Sequence, residues 1–386
     1  MRKFYLYWRS DIKEQSMSER RELVWLRTDL RVSDNKALYY ASHSGAVMGV
    51  FLLFPEQWRQ HNDSPNKLWF LLENLRALKK QLNDLNIPLV TVTLSRYDEA
   101  AKTLAGLAKK HACSGIWFND EYGVNEQNRD DHVESSCLQQ SINCQRFTDQ
   151  LLSKPGTVLN GKGEYFKVFT PFKKSLYQRL IHDDIKPLPK PKKQALSDFQ
   201  AINGVMPTNN YKPTAQDASQ QWPAGEACAQ KRLALFISDG LDQYNDQRDY
   251  PAISGTSSLS PWLTVGAISI RQCFYSAWVA NQGELDTGSE GAVCWLSELI
   301  WREFYRHVLV GFPRVSKGRA FNEVTDRLPW SYDGQRLMAW QQGKTGFPIV
   351  DAAMRQLVAT GWMHNRLRMV SAMFLSKNLM LDWRLG

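Results

Sequence analysis

Hydrophobic positions change their rhythm along the chain. Between residues 22 and 150, short β-branched and aromatic runs recur: ELVWL (22–26), AVMGVFLLF (46–54), IPLVTVT (87–93) and SGIWFN (114–119). Runs of this kind, apolar at nearly every position, suit strands buried on both faces. Between them a period near 3.6 predicts helices at 65–85, 97–111 and 124–140. Strands alternating with helices of this length imply a parallel sheet with right-handed crossovers. The region 22–150 is therefore expected to be a Rossmann-like α/β domain, and the mostly polar residues 1–21 an extension before it.

Residues 151–225 are expected to connect this domain to the next. Within them KPLPKPKKQALSDF and NGVMPTNNYKPTAQDASQQWPAG are broken every few positions by Pro, Asn, Gln and Gly, the composition of an extended surface segment. Beyond residue 226 strand patterns disappear. EACAQKRLALFISDG, SPWLTVGAISIRQCFYSAWV, GAVCWLSELIWREFYRHVLV and IVDAAMRQLVATG read as helices, as does the closing stretch 360–386. Ser260 before Pro261 reads as an N-cap followed by a first-turn proline. The region 226–386 is an all-α domain.

Charge adds little. Lys plus Arg number 48 and Asp plus Glu 39, a net +9 that permits an anionic partner without requiring one. The six cysteines form no CxxC pair, and no His or Cys stands at zinc-finger spacing, so reduced thiols and no structural metal are expected. The longest apolar run, Val47–Phe54, is too short to span a bilayer, and MRKFYLYWRSDIKEQ becomes charged too early for a secretory signal. A cytoplasmic protein without membrane contact is the expectation.

The chemistry is carried by mixed polar and aromatic helix faces. In WLSELIWREFYRH (295–307), Glu298, Trp301, Arg302 and Tyr305 share one stripe. In the closing stretch Trp362, Asn365 and Met369 share another, flanked by Arg366 and Arg368. Such side chains are costly to bury unless partnered, either by neighbouring helices or by a ring-containing ligand with phosphates. The loop Gly255–Ser260 offers hydroxyls and free N–H groups at a helix entrance, as a phosphate site or as an ordinary capped loop. Gln342-Gly343-Lys344-Thr345 ends like a phosphate-binding loop, but Met338 stands where that pattern needs Gly, so an ATPase is excluded.

WLRTDLRVSDN (25–35), YFKVFTPF (165–172), QRDYPAISGTSSLSPWL (247–263), WLSELIWREFYRH (295–307), KTGFPIVDAAMRQL (344–357) and TGWMHNRLRM (360–369) together resemble the photolyase/cryptochrome flavoproteins. The resemblance is nearest to the bacterial class I cyclobutane pyrimidine dimer photolyases and runs in order from about residue 22 to the end. It implies a noncovalent FAD in the helical domain and light-driven repair of a pyrimidine dimer flipped out of damaged DNA by a monomeric lyase. Tyr244, Thr256, Ser257, Leu259 and Ser260 match positions around the flavin phosphates and ribityl chain. Asn365, Arg366 and Arg368 match positions near the flavin ring, and Arg302 one near the cofactor–substrate mouth. Glu298 matches the carboxylate that hydrogen-bonds the dimer, as a neutral donor with raised pKa, while Trp301 stacks on the dimer and Met369 touches its edge. Trp330 and Trp383 match the outer and middle members of an electron-carrying tryptophan chain. His61, Asn125, Glu126 and Lys317 match a folate antenna (methenyltetrahydrofolate) site.

The resemblance also carries departures. Ser258 stands where many relatives place Arg, and Ser316 where some place Cys. Family helical domains continue past the position of Gly386 with a segment that covers the flavin ring, so the resemblance implies an FAD domain incomplete at its C-terminus. Two other readings stay open: a cryptochrome-like blue-light flavoprotein without repair activity, and a non-catalytic truncated fragment that folds its α/β half alone.

Overall fold

Why a run such as ELVWL is buried on both faces is plain in the computed structural model, which describes residues 20–180, 185–196, 204–213 and 218–386. Five parallel strands, β1 (Arg21–Leu26), β2 (Ala46–Leu53), β3 (Leu89–Thr93), β4 (Gly115–Asn119) and β5 (Asn143–Phe147), lie in the order β3-β2-β1-β4-β5. Successive side chains alternate between faces. Val24, Leu26, Val47, Phe51 and Leu53 join one core, while Leu23, Trp25, Met48, Val50, Leu52, Ile116 and Phe118 join another. Helices Lys36–Ser44 and Pro65–Asp84 cover the first face through Leu38, Leu75 and Leu78. Helices Glu99–Lys110 and Val124–Gln139 cover the second through Leu104 and Val133. Each such apolar side chain stabilises the fold by about 1.5–3 kcal/mol relative to exposure. The N-terminal extension lies outside the described residues except for Arg20 and Arg21, and Arg21 already opens β1.

β5 is an addition to the four expected strands. NCQRF is polar at a sheet edge, with Asn143 exposed and the rest of the strand half-buried. Within the expected connector, helix Phe169–Leu180 packs on helix Glu290–Gly311, with the Phe172 and Phe304 rings 5.4 Å apart. That stretch therefore belongs to the helical body. The segment 185–196 is pinned to the sheet: Gln194 Oε1 accepts from Val47 N at 2.8 Å, and its Nε2 donates to Val47 O and Asn86 O.

Two expected helix boundaries change. Helix Ser260–Val265 begins on Ser260 itself, with Leu259 at the cap in helical geometry and no side chain closing it. Ser258, two residues before it, stands in the left-handed region at φ +53°. The closing stretch is two helices rather than one. Gly361, at φ +70°, ends helix Pro348–Thr360, and His364 opens helix Asn365–Met373 by accepting from Arg366 N through Nδ1 at 3.1 Å.

The two halves share a core and an ionic network. The first sheet-face core runs without a break into Trp262, Trp295, Leu296 and Phe304 of the helical half. Phe70 meets Trp262 edge-on at 5.9 Å. Arg271 donates to Asp34 at 3.0 Å and to Asp149 at 2.6 Å, Arg31 also pairs with Asp149, and Arg31 Nη1 donates to Gly266 O. All four charged side chains are buried. This continuity speaks against an α/β half that folds alone. A separate small core of Trp340, Val350, Met354, Met363, Leu367, Phe374 and Leu381 holds the last helices together.

Candidate active site

Helix Glu290–Gly311 crosses the helical half, opened by Ser289, and its period of 3.6 distributes the expected residues over more than one surface. Glu298 faces an open groove of about 420 Å³, shared with Lys173, Asn245, Arg248, Cys294 and Ser297. Arg248 Nη1 donates to Glu298 Oε1 at 2.7 Å and lies 3.0 Å from Cys294 Sγ. Glu298 here accepts from Arg248 in an ion pair; the neutral donor the resemblance implies belongs to the occupied site. Burial alone would lower the Arg248 pKa, but contacts with Cys294 and Glu298 outweigh it and raise it.

Trp301, one turn on, is not a bare wall. Phe169 stacks on it with ring centroids 3.6 Å apart and planes 6° from parallel, and Tyr305 lies 5.5 Å away at 27°. Arg302 turns elsewhere. Its Nη1 donates to Gln150 O at 2.7 Å, and it lines the cleft between the halves, not the Glu298 groove. The i,i+4 spacing that links it to Glu298 on paper leaves room for the longer side chain to reach the sheet half.

The hydroxyl loop sits across from the closing helix. Arg232 donates to Ser257 O at 2.8 Å and to Thr256 O at 3.3 Å, which fixes the loop through its carbonyls. Thr256 Oγ1 and Ser258 Oγ are 3.4 Å apart, and Leu259 is buried beneath them. Tyr244 is buried edge-on to Phe236, with the Arg248 guanidinium 5.5 Å from its ring centroid; burial pushes its hydroxyl pKa up. Ser260, Trp362 and Arg368 line one cavity of about 340 Å³ with Trp222, Trp69 and Phe70. Trp362 lies in the turn between helices, so it is not on a helical face with Asn365 and Met369. Asn365, Arg368 and Met369 are exposed, while Arg368 Nε donates to Met363 O at 3.2 Å.

Arg366 grips Asp249 with two bonds of 2.7 Å, and its Nη1 lies 3.8 Å from Met369 Sδ. Asp249 Oδ1 is also 3.4 Å from Arg248 Nε. The structure therefore links Glu298 and Arg248, which line the groove, through Asp249 to Arg366 and Met369. Arg248, Asp249, Arg232 and Phe169 were not singled out by sequence. Arg248 falls four residues after Tyr244 inside QRDYP, the one signal that pointed to it. His364 Nε2 is buried without a partner, and burial lowers the pKa of its ring.

Three of the four antenna positions cluster. His61 lies 3.5 Å from Asn125 Nδ2 and 2.6 Å from Gln57 Nε2, and Tyr97 donates to Glu126 at 3.2 Å. His61 and Glu126 line an interdomain cleft of about 330 Å³ beyond the carboxyl ends of β1 and β2. This is where open α/β sheets take ligands. On its wall Glu121 is held at about pKa 2, because Arg129 and Arg27 outweigh the cost of burial. Lys317 stands apart, exposed on the turn Val315–Lys317, and is not among the cleft residues. Trp330 and Trp383 flank a short bridge in which Ser331 N donates to Met380 O at 2.6 Å. Trp330 is half-buried with Nε1 unpartnered, and Trp383 is exposed beneath Arg384 at 4.6 Å. Among the described residues no cluster of His, Cys, Asp or Glu could hold a metal, and no helix is long and apolar enough to cross a membrane.

Residues 22–192 match the family model for DNA photolyase, and 295–386 that for the FAD binding domain of DNA photolyase. The deoxyribodipyrimidine photo-lyase of Salmonella typhimurium is 40% identical over 372 residues, covering 94% of this chain and 76% of the relative. That of Escherichia coli is 39% identical over 366 residues, with 94% and 76% covered. A bacterial class III photolyase structure from Agrobacterium tumefaciens superposes with TM-score 0.80 at 30% identity over 96% of this chain and 75% of that one. A Synechocystis cryptochrome structure superposes with TM-score 0.84 at 25% identity, covering 96% and 78%.

Proposed function

The chain belongs to the DNA photolyase family, and on that premise we propose that it is a lyase that splits cyclobutane pyrimidine dimers in damaged DNA under light. The observation that carries this reading is Glu298, presented to an open groove on the same helix as Trp301 and joined through Arg248 and Asp249 to Arg366.

The cofactor is FAD, and the residues present suit it. The N–H groups of Thr256, Ser257 and Ser258 have no protein acceptor among the described residues, beside hydroxyls and the start of a helix. Donors held in this way suit phosphate. Trp362 and Arg368 on the neighbouring cavity suit a flat polar ring, and the unpartnered His364 Nε2 leaves a buried polar atom beside Trp362. Reduced FAD, when bound and excited, supplies the electron that opens the dimer.

The chain's own part is position and charge. In the occupied site a protonated Glu298 would donate to the extruded base and stabilise the negative charge that builds there. Trp301, held flat by Phe169, gives the pocket an apolar wall, and Met369 stands at the edge. Arg248 and Lys173 hold phosphates without reading sequence. Flipping costs least at a weakly stacked lesion, which favours damaged over intact DNA. Trp330 and Trp383 act as electron carriers, and the cleft of His61, Asn125 and Glu126 takes a folate antenna.

The test is illumination of the purified, FAD-loaded, reduced chain with an oligonucleotide carrying one dimer. Near-UV light restores the intact oligonucleotide and darkness does not; no restoration under light refutes the repair reading. The likeness in fold to a cryptochrome supports a second reading, blue-light signalling without repair. A light-dependent change in partner binding with no dimer splitting would select it.

A further inference from the structure

The carboxylate assigned to the lesion is already engaged. Arg248 Nη1 holds Glu298 Oε1 at 2.7 Å, with the two side chains 17% and 28% exposed, so the pair sits at the groove rim and not in the core. The same guanidinium has a second anion within reach, Asp249 Oδ1 at 3.4 Å from Nε. Asp249 cannot follow it into the groove, because Arg366 holds both its oxygens at 2.7 Å. Arg248 is thus a cation between a fixed carboxylate and a functional one, with Lys173 lining the same opening.

We propose that Arg248 is a latch on Glu298, a positioning residue that keeps this carboxylate occupied until a DNA phosphate draws the guanidinium away. Glu298 receives a single nitrogen of Arg248, whereas a phosphate can take two in parallel, the stronger arrangement. Once Arg248 turns to phosphate, Glu298 Oε1 is free for the base, and Asp249 keeps the arginine at the rim. Nothing covalent changes. Glu298 becomes available only when backbone has entered the groove, which couples general DNA binding to lesion recognition. The idea rests on DNA being the substrate but goes beyond it.

A double-mutant cycle tests the latch, read as dark binding of undamaged duplex by fluorescence anisotropy. Glu298→Gln releases Arg248 for phosphate, so affinity rises about three- to tenfold and the salt slope steepens by about one phosphate contact. Arg248→Gln weakens binding, and in that background Glu298→Gln changes nothing. A merely structural role leaves the salt slope unmoved. Equal gains from Glu298→Gln in both backgrounds would mean simple loss of repulsion and overturn the latch, as would unchanged affinity. Dimer repair by the wild-type preparation separates the two ideas. Lost repair with the coupling intact removes the repair reading and leaves the latch, and repair without coupling removes the latch. Absence of any DNA binding removes both.

Discussion

Arg271 Nε lies 3.0 Å from Asp34 Oδ1, a buried ion pair that joins the helical half to the sheet half. Arg271 also serves Asp149 at 2.6 Å. Removing it leaves two buried carboxylates under-compensated, which is far costlier than losing a surface pair. Arg271→Met is expected to lose about 3–5 kcal/mol in urea unfolding. A loss under about 1 kcal/mol would show that the junction is held by apolar contacts alone.

Glu303 gives the fold a pH signature. Burial raises its carboxyl pKa to about 7, against smaller lowering effects from Arg302 and the Leu152 and Ser153 amides. A carboxyl that binds its proton more tightly when folded stabilises the fold at low pH, and this contribution is lost as pH rises from about 4.5 to about 7. His307, whose pKa burial lowers from 6.5 to about 4, acts in the opposite sense over most of that range. The difference between wild type and Glu303→Gln isolates the carboxyl. The variant is expected to gain relative stability from pH 5 to pH 8, by up to about 3 kcal/mol, read as the shift in urea midpoint. A pH-independent difference would assign Glu303 no titration in this range.

Gly266 cannot carry a side chain. It sits at φ +71°, and a Cβ there would fall on Thr28 O and within 2.5 Å of Asp29 Cα. These are backbone atoms of the other half, so neither can swing aside. Gly266→Ala combines left-handed strain with a clash at the junction and is expected to cost at least about 2 kcal/mol. Thermal unfolding within a degree of wild type would mean that the junction can open at little cost.

Trp301 separates packing from recognition. Trp301→Phe keeps a ring on Phe169, whereas Trp301→Ala removes it. If the open part of this surface receives a base, Trp301→Ala weakens dimer binding by about 1–3 kcal/mol, roughly 5–150-fold. Trp301→Phe restores most of that, and undamaged duplex is little affected. Anisotropy titrations with both duplexes, with unfolding curves to report stability, check it. Equal weakening towards both duplexes would assign Trp301 to packing alone.

What the sequence made legible depended on burial. Four strands were readable because their residues are apolar on both faces. β5 was not, because NCQRF carries little apolar signal, whereas β3 at the opposite edge keeps Leu89, Val90 and Val92. The closing helix was drawn too long because Trp362 and Met363 keep the apolar rhythm going across Gly361, where the backbone turns left-handed. Glu298 and Arg366 stood in recognisable motifs, yet the Arg248 and Asp249 contacts between them did not. Pairs such as Arg248 with Glu298, fifty residues apart, leave no periodic trace. Arg302 parts from Glu298 for a related reason, since spacing fixes where a side chain starts and not which wall its guanidinium reaches.

The unbroken core between the halves also bears on the order in which the chain emerges from the ribosome. Phe70, on a helix that covers the sheet, waits for Trp262, which is made almost two hundred residues later. At about 5–20 residues per second that interval is roughly 10–40 s. For the last part of it, the about 115 residues after β5 ends at Phe147, a sheet half with all its strands made still presents an uncovered aromatic surface for roughly 6–23 s, a hazard under rapid overexpression.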